Sequence, residues 1–337
     1  MHSFLLVFSL AIGMIACDSN NVSEPSVEKP EYVLVIHGGA GAIKKEFMSD
    51  EQEAQYTAAL QVALDAGEKI LKAGGPSLDA IEVAIHTMED NPLFNAGRGA
   101  VYTHSGTIEM DASFMDGATG NAGAVAGVQT LRHPVSSARL VMEKSVHVMM
   151  SGAGAEAFAI SHGLEVMDTA WFRTERREGQ LKRIQAKEKE VVLGNWEDTK
   201  YGTVGAVALD KNGNLAAATS TGGMTNKRYG RIGDAPIIGA GTFADNGTCA
   251  VSCTGHGEYF IRNVVAYDVS ARMAYKGISL KQAADEIIMK KLVAIDGSGG
   301  LIAVDKNGNI AMPFNSDGMF RGFVKSTGET EIGIYGE

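Results

Sequence analysis

Apolar residues fall along the chain in three rhythms, and each implies a different kind of element. Residues 4 to 16 form one apolar run, too short for a comfortable membrane span, and read as the core of a secretory signal. Tyr32 to Ile36 is a β-rich run that ends in His37-Gly38-Gly39-Ala40-Gly41, a tight backbone turn at the end of a central strand. Helical spacing follows over 53 to 73, where Leu60, Ala63, Leu64 and Leu71 recur. A second helix, 77 to 89, comes after Gly74-Gly75-Pro76, and the two are expected to pack as a pair.

A turn-rich loop, Asn91 to Ala100, then leads into strand-like pieces around 107 to 115 and 121 to 130. Asp111 and Asp116 flank turns and read as caps or solvated carboxylates rather than ligands. Residues 134 to 163 look helical, with intervening turns. Residues 173 to 201 carry many charges and little apolar periodicity in their second half, so they predict an exposed, partly disordered linker. Helices are expected from Tyr259 to Tyr275 and from a Ser279-x-x-Gln282 capping box to Leu292.

The linker ends at Gly202-Thr203-Val204-Gly205-Ala206-Val207-Ala208-Leu209-Asp210, an apolar run headed by a hydroxyl. Threonine can attack a carbonyl when its own α-amine, freed by cleavage of the preceding bond, takes the hydroxyl proton. Gly202 would present its carbonyl to that hydroxyl. The same stretch also reads as a buried strand that happens to begin with threonine, and taken alone it favours that reading.

An internal echo bears on the choice. Ala206-Val-Ala-Leu-Asp-Lys-Asn-Gly-Asn214 is matched by Leu301-Ile-Ala-Val-Asp-Lys-Asn-Gly-Asn309, each a strand entering an Asn-Gly turn. Gly202-Thr203 then lies opposite Gly297-Ser298. The first return strand ends in Thr219-Ser220-Thr221-Gly222-Gly223, so antiparallel pairing brings Thr221 back to the level of Thr203. Ser298 has poorer hydroxyl company.

Arg231 and Asp234, in a glycine-punctuated loop, could hold an amino acid by its carboxylate and ammonium; a surface ion pair is the alternative. Ser252-Cys253-Thr254-Gly255-His256-Gly257-Glu258 precedes a helix start, where backbone N–H groups can stabilise an oxyanion. No His-Glu-x-x-His spacing exists, so His256 is read as loop-lining.

Composition adjusts this picture modestly. A 45% hydrophobic, 21% charged chain has ample core, and its 41 glycines against 7 prolines suggest tight turns and backbone-lined sites. A net charge of -10 without a basic cluster argues against nucleic-acid or anionic-membrane surfaces. Cys249 and Cys253, about 13 Å apart on a strand, are too far apart for a disulfide and read as small core residues. Ala16-Cys17 resembles the end of a lipoprotein signal, followed by a polar tether over residues 18 to 30. The segment before it lacks Lys and Arg, and Met14 stands where leucine is usual. A plain secretory signal is the alternative.

Six motifs in order resemble the plant-type asparaginases and isoaspartyl peptidases of the N-terminal nucleophile hydrolases. They are His37-Gly-Gly-Ala-Gly41, Asn95-Ala-Gly-x-Gly99, Gly202-Thr-Val-Gly205, Thr219-Ser-Thr-Gly-Gly223, Gly230-Arg-x-Gly-Asp234 and Thr254-Gly-x-Gly257. The resemblance implies a four-layer αββα sandwich, a single domain over 31–337, made as a precursor that cuts itself between Gly202 and Thr203 into α and β pieces. It implies hydrolysis of L-asparagine or β-aspartyl dipeptides by Thr203, with Thr221 orienting it and Thr254 and Gly255 forming the oxyanion hole. The substrate would lie among Arg231, Ile232, Gly233, Asp234, Thr254 to Gly257 and Asn95. No cofactor is implied beyond a structural sodium ion, and the usual partner is a second cleaved protomer. The signal points to the periplasm or cell envelope. Glycosylasparaginase, which resembles Thr-Ser-Thr-Asn-Gly where this chain has Gly222, and a non-catalytic amino-acid-binding lipoprotein are the competing readings.

Overall fold

The computed structural model describes residues 29–190 and 202–336. In chain order these form β1 (Val33–Gly41), α1 (Asp50–Lys72), α2 (Ser77–Glu89), β2 (Met110–Asp116), β3 (Ala122–Val128), α3 (Pro134–Lys144), β4 (Met149–Ser151), α4 (Gly152–Ser161) and α5 (Glu175–Glu190). After the undescribed 191–201 come β5 (Val204–Leu209), β6 (Leu215–Thr221), β7 (Thr242–Ala244), β8 (Cys249–Gly255), α6 (Gly257–Asn263), α7 (Val265–Lys276) and α8 (Leu280–Asp285). The chain closes with β9 (Gly299–Asp305), β10 (Ile310–Ala311), β11 (Gly318–Lys325) and β12 (Thr330–Tyr335).

Two sheets result, an eight-stranded one ordered β12-β11-β1-β5-β6-β2-β3-β4 and a four-stranded one ordered β10-β9-β8-β7. Alternation along each strand divides its side chains between two cores. On β1, Leu34 and Ile36 join the core under α1 and α2, while Val33 and Val35 face the second sheet. On β8, Cys249, Val251 and Cys253 lie under α7 and α8, and Ala250 faces back between the sheets. The layers are therefore helix, sheet, sheet, helix, the αββα sandwich. Strands covered on both faces must be apolar throughout, which is why the run from Val204 showed no alternation. Cys249 and Cys253 are free and buried, and burial raises both thiols, Cys249 to about 12.

Three expectations need correction. Residues 175–190 are helix, not linker. Of its described buried side chains only Leu181 is apolar, while Arg177 and Gln180 are polar, and so it escapes an apolar pattern. Arg177 is buried, donating from Nε to the Gly99 carbonyl (2.7 Å) and from Nη1 to Gln180 Oε1 (3.2 Å), and Gln180 donates to Thr225 Oγ1 (2.8 Å). The helix expected over 259–275 breaks at Val264, whose φ of 49° is left-handed. The amides that begin α7, Ala266 and Tyr267, bond instead to the carbonyls of Ala240 and Gly239. The 279 helix turns π-helical after Asp285, and only half its capping box forms, Ser279 Oγ accepting from Gln282 N while the Gln282 side chain donates to Glu286. The signal, Cys17 and nearly all of the tether lie outside the described residues, as does the stretch immediately before the glycine at 202.

Candidate active site

The β5–β6 register pairs Val204 with Ser220 and Gly205 with Thr219, so the next step sets Thr203 against Thr221. The Thr203 hydroxyl donates to Thr221 Oγ1 at 3.1 Å, and the same oxygen accepts from the Gly223 amide at 2.9 Å. Thr221 is thereby held by its own turn while it holds the nucleophile candidate. Ser298 contributes its backbone instead, its carbonyl accepting from His256 N (2.9 Å).

Thr203 is also fixed from behind. His37, fully buried on β1, meets the Thr203 carbonyl with Nδ1 (2.9 Å) and Ser252 Oγ with Nε2 (2.9 Å). A carbonyl only accepts, so Nδ1 carries the proton. Burial pushes the imidazole down to about 3, so the ring is neutral. Beyond Ser252 a line of hydroxyls crosses the intersheet layer: Thr219 (2.7 Å), Thr242 (2.5 Å), then Ser113 (2.7 Å), which reaches the Ala235 carbonyl at 2.6 Å. One polar line thus joins the backbone of Thr203 to the residue after Asp234. The glycine motif at 37–41 is not the turn expected from sequence: β1 continues through it to Gly41, bulging between His37 and Gly39, and nothing local marked His37, because its partners lie at the head of β5 and on β8.

The walls of the pocket are Ala40, Gly202, Thr203, Thr221, Gly223, Met224, Arg231, Gly233, Asp234, Ala235, Thr254, Gly255 and His256. Strands of both sheets and the loop after β6 meet there. Thr254 Oγ1 accepts from Ala40 N (3.2 Å), tying the second sheet to the bulged end of β1. Gly255 has φ +147°, and a Cβ there would press on Ser298 O and the Gly299 Cα, so only glycine keeps its amide in place.

Arg231 and Asp234 do not make the surface ion pair considered from sequence. Arg231 is engaged by Glu258, Nε to Oε1 at 2.9 Å and Nη2 to Oε2 at 3.0 Å. Asp234 is buried and its Oδ2 has no hydrogen-bond partner among the described residues. Burial pushes its carboxyl up to about 7, against the opposing pull of Arg231. With the guanidinium balanced by Glu258, the charge left for a ligand is negative, and an ammonium is the group that would complete it. Glu258 itself went unassigned in the sequence.

Three predicted residues stand back from the walls. Asn95 donates to the Gly223 carbonyl (2.7 Å) and accepts from Val101 N (3.0 Å), so it supports the 222–223 turn. Gly257 packs against the Arg231 guanidinium and Asp234, where a side chain would collide with both. Ile232 is exposed. Asp116 does cap a turn, accepting from Ala118 N and Thr119 Oγ1 (2.9 and 2.7 Å). Asp111 is instead buried opposite Thr221, near the buried Lys227, and burial raises its carboxyl.

The sequence model of the asparaginase family matches residues 30–334. An isoaspartyl peptidase of Salmonella typhimurium is 54% identical over 310 residues, covering 90% of this chain and 99% of the relative. An isoaspartyl peptidase of Escherichia coli is 53% identical, covering 90% and 96%. A probable isoaspartyl peptidase/L-asparaginase of Arabidopsis thaliana is 41% identical, covering 90% and 99%.

Proposed function

The chain belongs to the asparaginase family, and from that premise we propose that it is an amidohydrolase releasing aspartate from L-asparagine and from β-aspartyl dipeptides. The observation that carries this is the one pocket where Thr203, a buried Asp234 carboxyl whose Oδ2 has no hydrogen-bond partner among the described residues, and the Thr254-Gly255 backbone converge.

Activation begins within the chain. The Thr203 Oγ attacks the Gly202 carbonyl, the Gly202–Thr203 amide bond breaks, and its nitrogen takes the hydroxyl proton to become an amine. Water opens the resulting ester, returning the Oγ–H and leaving a Gly202 carboxylate. The new amine, with a reference pKa of ~8, can serve as base near neutrality.

In turnover the amine takes the Oγ proton as Oγ attacks the side-chain amide carbonyl. Thr254 and the Gly255 amide hold the oxyanion, an interaction worth ~3 kcal/mol per donor. Ammonia, or the amine of the next residue in a β-aspartyl dipeptide, leaves with the proton, and water frees aspartate. Asp234 receives the substrate's ammonium and Arg231 its carboxylate, which competes there with Glu258. Thr221 keeps Oγ aimed at the carbonyl.

The glycosylasparaginase alternative is disfavoured by packing as well as by kinship. A Cβ on Gly222 would stand 2.6 Å from Asn95 Oδ1 and 2.7 Å from Val101 N, so the asparagine of that branch has no room here. Around Gly97 and Gly99 the carbonyls of Glu89, Pro92 and Phe94 crowd the space a side chain would need. The carbonyls of this loop would be the groups to hold a structural sodium ion. Cleaved protomers would pair as a homodimer, and the first 17 residues would direct the chain to the cell envelope, with Cys17 as lipid anchor.

Aspartate release from asparagine, β-Asp-Leu and a glycosylasparagine, measured side by side with denaturing electrophoresis, tests the proposal. Fragments of roughly 20 and 15 kDa, the smaller beginning at Thr203, should accompany activity on the first two substrates. A chain that stays intact and releases nothing would overturn it and leave the binding-lipoprotein reading.

A further inference from the structure

We propose that His86, Glu89 and His133 form a binding site for a divalent transition-metal ion of zinc-like preference, separate from the Thr203 pocket. His86 and Glu89 are three apart on α2, hence on one face, and His133 caps α3. One potential ligand atom from each lies within 4.8 Å of the other two. None of the three lines the pocket around Thr203.

Glu89 gives the strongest reason to look for a cation. Its side chain is fully buried. Oε1 accepts from Val135 N (3.1 Å) and Ser220 Oγ (2.6 Å), while Oε2 faces His133 Nδ1 at 3.1 Å. A buried carboxylate demands a positive partner or a metal, and among the described ion pairs its only one is this histidine. The 3.1 Å separation is also close to that of two ligands on one tetrahedral ion at ~2.0–2.1 Å from each.

The hydrogen bonds around the histidines set their free nitrogens. Ser136 gives its only proton to Glu82 Oε1 (2.6 Å), so His86 Nε2, 2.6 Å from Ser136 Oγ, must donate to it. His86 Nδ1 then keeps its lone pair for a metal. At His133 the ion takes the place of the Nδ1 proton, which moves to Nε2, 3.8 Å from Asp90 Oδ1. His86 thereby passes its outer N–H to the Glu82 carboxylate through Ser136, as metal-bound histidines commonly do.

The two rings stack at 4.0 Å with planes 23° apart, so one ring must turn for both nitrogens to face a single ion, and their side chains remain 30% and 17% exposed. That opening gives the ion an entry path and leaves room for water to fill a fourth position. Two nitrogens and one oxygen suit Zn2+ or Co2+ better than Ca2+ or Mg2+. The sequence gives no hint of the site because His133 comes from a different helix. An ion here would bind α2, the start of α3 and, through the Glu89–Ser220 bond, the strand that carries Thr221.

The test uses the full chain, stripped with chelator and kept in constant NaCl, titrated with Co2+. A visible absorption of tetrahedral type should saturate near one equivalent, be displaced by Zn2+, and Zn2+ at a hundredfold excess over its Kd should raise the melting temperature by about 5 °C. His133→Asn should weaken Co2+ binding roughly 100-fold. Should that variant not fold, His86→Gln, at the more exposed ligand, carries the same expectation. No saturable absorption below millimolar Co2+, or binding unchanged in the folded variant, would overturn the proposal.

Discussion

Gly39 and Gly202 pack backbone to backbone, so that a Cβ built on either would fall against the other's Cα. Gly39 sits at the bulge of β1 with φ +111°, where the register against β11 shifts. This contact fixes where the Gly202 carbonyl lies relative to the Thr203 hydroxyl.

Gly39→Ala should therefore displace Gly202 and suppress self-cleavage. Denaturing electrophoresis of the freshly purified variant is expected to show mainly full-length chain, with a lowered melting temperature from strain at a positive φ. Normal cleavage with normal stability would show that the contact is dispensable.

Thr221→Val keeps the strand shape but removes the acceptor at 3.1 Å from Thr203 Oγ1. Misaimed nucleophiles cost up to ~100-fold, so kcat should fall roughly 10- to 100-fold while KM changes little. A loss confined to KM would mean that Thr221 contacts substrate instead.

Asp234 makes substrate binding depend on pH. With its carboxyl at about 7 in the free protein, it is protonated and unable to hold an ammonium below that pH. KM for asparagine should rise as pH falls from 8 to 6. Stability runs the other way. A carboxyl raised in the folded state favours folding below its unfolded pKa of ~3.9, and that contribution is lost as pH rises through 7. Asp234→Asn should thus abolish activity, yet raise the melting temperature more at pH 8 than at pH 5. Equal shifts at both would remove the buried charge as the cause.

His37 has the opposite linkage. Its folded pKa of about 3 lies below the unfolded ~6.5, so the unfolded chain binds a proton that the folded chain refuses. Stability should fall as pH drops from 6.5 towards 3, by ~1.4 kcal/mol per pH unit between the two values. Urea titrations of His37→Gln should lose that slope, although loss of the imidazole's hydrogen bonds to Thr203 and Ser252 makes the variant less stable at pH 7. A slope identical to that of the unsubstituted chain would assign the acid sensitivity elsewhere.

Local sequence determined a good deal of this protein. Helical spacing located α1 and α2, the Asn-Gly echo located two hairpins, and antiparallel pairing alone placed Thr221 beside Thr203, because each depends on neighbours a few residues away. The order of six motifs identified the family. The tertiary structure decided what distant segments do to one another. It buried Arg177 and so made a helix of a charged stretch that read as linker. It gave Arg231 to Glu258, leaving Asp234 buried and short of a partner, and it set His37 behind the Thr203 carbonyl. Burial, which creates the shifted carboxyl and the neutral imidazole, belongs to no residue by itself; it arises only when two sheets close over them.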